Sequence, residues 1–147
     1  MKPRLLATVK DGFNKNEIMP YPKIKYQQVL LIVASAGQQV PIDAETDKLY
    51  NTCTGINVLS SDGAIKFGTL QLDMNGQEIF PENFQVVRLL FRTHAPFGFD
   101  YHKLNEPAGG SKLKGTYTDK SETIVFPYFI VISLRLENIE PSDAGKI

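Results

Sequence analysis

The side chains best able to do chemistry are few and scattered. There are two histidines, His94 and His102. Asp100 and His102 are two residues apart and would share a face if the segment Phe99 to Lys103 is extended. With His94 folded back beside them, the residue types suit zinc or iron. The spacing matches no common ligand motif, and no metal or other cofactor is expected. Cys53 is the single cysteine. It has no histidine near it in sequence and reads as a small buried filler, not a nucleophile. No G-x-S-x-G elbow occurs. Gly109-Gly110-Ser111-Lys112 departs from phosphate-loop spacing and reads as a flexible turn. Asp73, Glu78 and Glu82 flank a turn, but no pair among them is singled out for glycosidic acid–base work. No catalytic residue is assigned, and the chain is expected not to be an enzyme.

Three aromatics remain. Phe97, Phe99 and Tyr101 alternate within an irregular stretch from His94 to Gly110 that holds two prolines and three glycines. They could form a stacking platform, tuck under the loop as a small core, or dock on a neighbouring subunit. Long loops inside compact domains tend to be functional.

The elements that must position these residues are strands. In Leu70 to Met74, Leu70, Leu72 and Met74 alternate with Gln71 and Asp73, as a half-buried strand requires. Asn75-Gly76 supplies two residues tolerant of positive φ for a tight hairpin turn, and Pro81 ends the return strand. Phe84 to Phe91 reads as a further apolar strand. Tyr26 to Ala36 reads as the first strong strand, central and covered on both faces, and Gln38 to Ile42 as a short one. Asp43 to Tyr50 could make a helix of two turns, with Asp43 as its N-cap and no full capping box. Thr52 to Leu59, Ile65 to Asn75, Lys112 to Thr118 and Thr123 to Glu137 complete the strands. Ser60-Ser61-Asp62-Gly63 reads as a hairpin-type turn. In the last strand Ile130, Ile132, Leu134 and Leu136 line the core face. About eight strands with turn signals between them favour an all-β antiparallel β-sandwich, a single jelly roll.

Composition sets the remaining bounds. A chain of 147 residues is expected to form one domain. The formal net charge is zero, so no global field draws nucleic acid, and no specific nucleic-acid partner is expected. Charge is uneven, however. Residues 1–25 carry Lys2, Arg4, Lys10, Lys15, Lys23 and Lys25 against Asp11 and Glu17, which is six minus two, or +4. This basic, proline-containing leader is expected to be an extended N-terminal arm, followed by a body over 26–138 and a tail over 139–147. No signal peptide is visible, and the eight-residue run Val29 to Ala36 is far below the ~20 residues that span a bilayer. A soluble chain made inside the cell is expected.

The body resembles small jelly-roll virion proteins of bacteriophages. The likeness rests on Leu72-Asp73-Met74-Asn75-Gly76-Gln77-Glu78-Ile79-Phe80-Pro81, on Gly115-Thr116-Tyr117-Thr118-Asp119, and on Pro127-Tyr128-Phe129 leading into Ile132-Ser133-Leu134-Arg135-Leu136-Glu137. It is a likeness of strand grammar over roughly residues 26–138. The nearest type is the penton (vertex) or minor capsid subunit of tail-less, membrane-containing icosahedral phages. The resemblance implies a non-enzymatic subunit made in the host cytoplasm and assembled into a virion. Its partners would be copies of itself and neighbouring capsid proteins, with the basic arm reaching a neighbour or an internal membrane. Lys2, Arg4, Lys10, Phe97, Phe99 and Tyr101 are the interface candidates. The competing reading is a carbohydrate- or receptor-binding module on the same fold.

Overall fold

The computed structural model describes residues 23–61, 67–90, 100–120 and 125–140. Eight strands run in chain order: β1 (Ile24–Val33), β2 (Gln39–Glu45), β3 (Thr52–Ser60), β4 (Thr69–Met74), β5 (Gln77–Phe80), β6 (His102–Pro107), β7 (Lys112–Thr118) and β8 (Tyr128–Glu137). They form two antiparallel four-stranded sheets, ordered β1-β8-β3-β6 and β2-β7-β4-β5. The pairing is nested: first with last, second with seventh, third with sixth, fourth with fifth. A long hairpin rolled across two facing sheets has this connectivity, and it is compatible with an eight-stranded jelly roll.

Alternation decides which side chains enter the space between the sheets. Leu70, Leu72, Met74, Ile130, Ile132, Leu134 and Leu136 are all buried, as their period-two pattern requires. Val33, Ile56, Val58, Leu113 and Tyr117 meet them from the other strands. β4 and β5 turn on Asn75 and Gly76, at φ 54° and 81°, the positive pair that an Asn-Gly hairpin favours. Where β7 pairs with β4, Gly115 lies opposite Leu72, and a Cβ on it would lie 2.1 Å from the Gln71 carbonyl oxygen.

Several sequence expectations need correction. The strand expected at Tyr26 to Ala36 is β1, and it lies at a sheet edge, not in the centre. Tyr26, Leu30 and Ile32 are 49%, 58% and 50% exposed. A run of apolar residues reports that both faces are hydrophobic; it does not report that both are covered. Asp43 to Tyr50 forms no helix. Asp43, Ala44 and Glu45 continue β2, paired with Lys114, Leu113 and Lys112. Ladder pairing outcompetes a two-turn helix that lacks a capping box, because short helices are marginal alone. The chain then turns at Asp47, whose Oδ1 accepts the Leu49 N–H at 2.8 Å. Phe84 to Leu90 is not a strand: Val86–Leu89 is a 3₁₀ turn with Val86 and Leu89 buried, and Phe91 lies outside the described residues. Their three-residue separation is the 3₁₀ repeat. Ser60 and Ser61 do not begin a hairpin, since β3 and β4 belong to different sheets; Asp62 and Gly63 lie outside the described residues.

The body starts earlier than expected, because Ile24 and Lys25 already pair with Glu137 and Leu136. Residues 1–22 of the expected arm lie outside the described residues, as do residues 141–147 of the expected tail. Ile139 is docked: Asn51 Oδ1 accepts its N–H at 2.9 Å and Asn51 Nδ2 donates to its carbonyl at 3.0 Å. Among the described residues no helix is long and apolar enough to cross a membrane.

Candidate functional site

The two outer faces of the sandwich differ in kind. On the β1-β8-β3-β6 sheet, Leu30 and Leu59 both sit beside Val131, which puts three apolar side chains in a row across three strands. Ile32 beside Phe129 makes the next row. Leu30, Ile32, Leu59 and Phe129 are between 45% and 58% exposed. Scattered surface leucines are ordinary, but a contiguous apolar block on rigid strands marks a contact surface.

Part of the rest of that face is covered by Tyr101. The next rows are Gln28–Ser133–Asn57 and Tyr26–Arg135–Gly55. Tyr101 lies over them. Its Oη is 3.0 Å from Ser133 Oγ, and its ring centroid is 5.7 Å from that of Tyr26. Gly55 makes room for it, since a Cβ there would meet Tyr101 Cβ at 3.0 Å. Asn57 Nδ2 donates to the Asp100 carbonyl at 3.3 Å and fixes the approach of the segment. Burial raises the Tyr101 phenol above its ordinary value, against the lowering influence of Ser133. Beside this cluster Thr54 Oγ1 donates to Glu137 Oε2 at 2.7 Å. Arg135 Nε lies 3.4 Å from the same carboxylate oxygen and is buried without a hydrogen bond.

Among the described residues the outward rows of the β2-β7-β4-β5 face are polar except at Pro41. Its rows read Gln39–Thr118–Thr69, then Pro41–Thr116–Gln71, then Asp43–Lys114–Asp73–Glu78. Part of it sinks into a cleft of about 560 Å³, walled by side chains from all four strands and by Glu82, Asn83 and Lys120.

The candidate residues distribute as follows. Of the interface candidates, Tyr101 is placed, half-buried on its own sheet; Lys2, Arg4, Lys10, Phe97 and Phe99 lie outside the described residues. His94 does too. Asp100 and His102 line one pocket with Arg88, but His102 is turned edge-on to Phe80 at 5.7 Å. Among the described residues no three His, Cys, Asp or Glu side chains gather as a metal-ligand set. The irregular stretch from His94 to Gly110 contains a six-residue edge strand, β6. Ser111 of the glycine turn is a structural tie: its N–H donates to Thr46 Oγ1 at 2.9 Å and its Oγ to the Pro107 carbonyl at 3.1 Å. Gly109 and Gly110, at φ 86° and 84°, make the turn that delivers it. Cys53 is fully buried, and burial pushes its thiol up to about 11. Asp73 and Glu78 are cross-strand partners on the hairpin.

Sequence reasoning missed both faces. The apolar block was written in Leu30, Ile32, Leu59 and Phe129, but as residues of three strands whose adjacency no local pattern reveals. The chain matches no protein-family model, no curated protein and no solved structure.

Proposed function

We propose that this chain is a non-enzymatic structural subunit of a virus particle, of penton or minor capsid type, that works through contacts with copies of itself and neighbouring shell proteins. The observation that carries this reading is the exposed apolar block of Leu30, Ile32, Leu59 and Phe129 on one outer face. Such a block is costly in water, at roughly 25 cal/mol for each Å² of apolar surface left uncovered, and it is relieved by a partner. The edge strands agree with it, since β1 and β6 end their sheet and a neighbouring subunit could cover them. The resemblance of the strand grammar to jelly-roll virion proteins supplies the class of assembly. On this reading the basic leader reaches a neighbour or anionic lipid headgroups, and the protein resides in the virion after synthesis in the host cytoplasm.

The test is oligomeric state. The full chain should form a discrete oligomer by size-exclusion chromatography with light scattering. Replacing Leu30, Leu59 and Phe129 together by Ser should give a monomer with unchanged far-ultraviolet circular dichroism. A wild-type chain that stays monomeric at high concentration, alone and with its co-expressed neighbours, would overturn the reading.

A further inference from the structure

The polar cleft on the β2-β7-β4-β5 face goes beyond assembly. Its walls come from outward positions of adjacent strands: Gln39 of β2, Thr116 and Thr118 of β7, Thr69 and Gln71 of β4, and Glu78 of β5. Glu82, Asn83 and Lys120 close it, and among the described residues no apolar side chain lines it. The volume, about 560 Å³, falls in the range of small-ligand sites.

The chemistry of the lining narrows the ligand. Amide side chains offer both a donor and an acceptor, hydroxyls do both, and carboxylates accept only. A ligand that satisfies such a mixture must itself present many groups that donate and accept. Sugar hydroxyls do. Among the described residues, Gln71 alone of the lining side chains makes a hydrogen bond within the chain, Nε2 donating to Asp73 Oδ1 at 2.8 Å. That bond fixes the orientation of the Gln71 amide. Gln39, Thr69, Glu78, Thr116 and Thr118 are held on strands but make no side-chain hydrogen bond within the described residues, which is the preorganised condition a binding site needs; Glu82, Asn83 and Lys120 stand beside them outside the strands.

Charge narrows it further. Among the described lining residues Glu78 and Glu82 face one cation, Lys120, a balance that disfavours phosphate and acidic sugars. Apolar peptide side chains find no pocket wall to bury against. Neighbouring strands about 4.8 Å apart repeat the polar side chains at an interval close to the width of one sugar ring.

We propose that this cleft is a binding site for a neutral oligosaccharide, held by hydrogen bonds without aromatic stacking. Glu78 and Glu82 accept from vicinal hydroxyls, while Gln39, Gln71 and Asn83 bridge neighbouring hydroxyls. The site lies on the other sheet from the apolar block, so it stands or falls independently of the assembly reading.

The experiment uses the full wild-type chain with maltotriose, cellotriose, N-acetylated chitotriose and mannotriose, each at millimolar concentration. Saturation-transfer NMR should show transfer to at least one of them, and amide shifts in the labelled protein should map to β4, β5 and β7. Two variants follow. Glu78→Gln sits at an exposed position and should leave thermal unfolding unchanged while weakening binding by about tenfold, because a neutral amide oxygen replaces a charged acceptor. Gln71→Ala should weaken it by a similar factor. No transfer to any of the four sugars, shifts that map to Tyr101 instead, or full binding by Glu78→Gln would each overturn the proposal.

Discussion

Tyr101 Oη and Ser133 Oγ meet at 3.0 Å on the outer face of a sheet, tying the segment before β6 to the middle of β8. Ser133 is almost fully buried by this cover although it points away from the core. Replacing Tyr101 by Phe keeps the cover and removes the bond, at a cost of about 1 kcal/mol. Replacing it by Ala uncovers Ser133, Gly55 and Tyr26 together and should cost roughly 2–3 kcal/mol. Urea denaturation of the two variants checks the order. Equal losses would mean that the hydroxyl, not the ring, holds the segment.

Asp119 is buried and joins two distant turns. Its Oδ1 accepts from the Tyr128 hydroxyl, and its Oδ2 accepts the Gly37 N–H at 2.9 Å. Gly37 has φ 74°, so the β1–β2 turn is held in a conformation that few other residues adopt. Asp119→Ala should destabilise by about 1–3 kcal/mol, since it removes the charged acceptor of the Tyr128 hydroxyl, which keeps Tyr117 Oη at 3.0 Å, and the acceptor of the Gly37 N–H. Hydrogen exchange should show the loss first at residues 34–38.

Cys53 gives a pH dependence with a definite sign. Burial holds its thiol at about 11 in the folded chain, against an ordinary value near 9.0. The unfolded chain therefore releases this proton first. The Cys53 contribution is intact below pH 9 and is lost as pH rises toward 11. Cys53→Ala should flatten that part of the stability–pH curve. At pH 8 the native thiol should react with a disulfide reagent only as fast as the sandwich opens.

Gly115 and Leu134 test the packing. Gly115→Ala puts a Cβ 2.1 Å from the Gln71 carbonyl oxygen, so β4 and β7 must separate. A loss of about 1–3 kcal/mol is expected, visible as a lower thermal midpoint. Leu134→Asp buries an unpaired charge at a position with no exposure and should prevent folding. Arg135→Ala, one residue on and on the opposite face, should leave a folded protein.

The comparison of Leu134 with Arg135 also shows what local sequence can reveal. Alternation assigned the faces of β4 and β8 correctly, and Lys112 to Thr118 has the boundaries of β7, because turn residues bracket each run. Asn75-Gly76 was legible because few dipeptides tolerate two positive φ values. The failures share a cause. Whether Tyr26 to Val33 is central or at an edge depends on β8, more than ninety residues away. Whether Asp43 to Glu45 is helix or strand depends on β7. The cleft draws one wall from each of four strands, and their order across the sheet is a property of the roll. One local clue was available: the outward polar positions Gln71 and Asp73 differ in kind from the outward apolar positions Leu30 and Ile32.

The placement of β8 has a consequence for biosynthesis. It lies between β1 and β3 and pairs with both, yet it leaves the ribosome after the other seven described strands. Until Glu137 has emerged, β1 and β3 each present a bare hydrogen-bonding edge rich in Val, Ile and Leu. Closing the sheet also requires Ile24 to find Glu137, a separation of 137 − 24 = 113 residues. Non-local pairing of this kind places folding in the millisecond-to-second range. The growing chain therefore passes through a window in which pairing with another copy competes with pairing to itself. Crowded polysomes should make that window wider, and slower translation after residue 118 should raise the aggregated fraction.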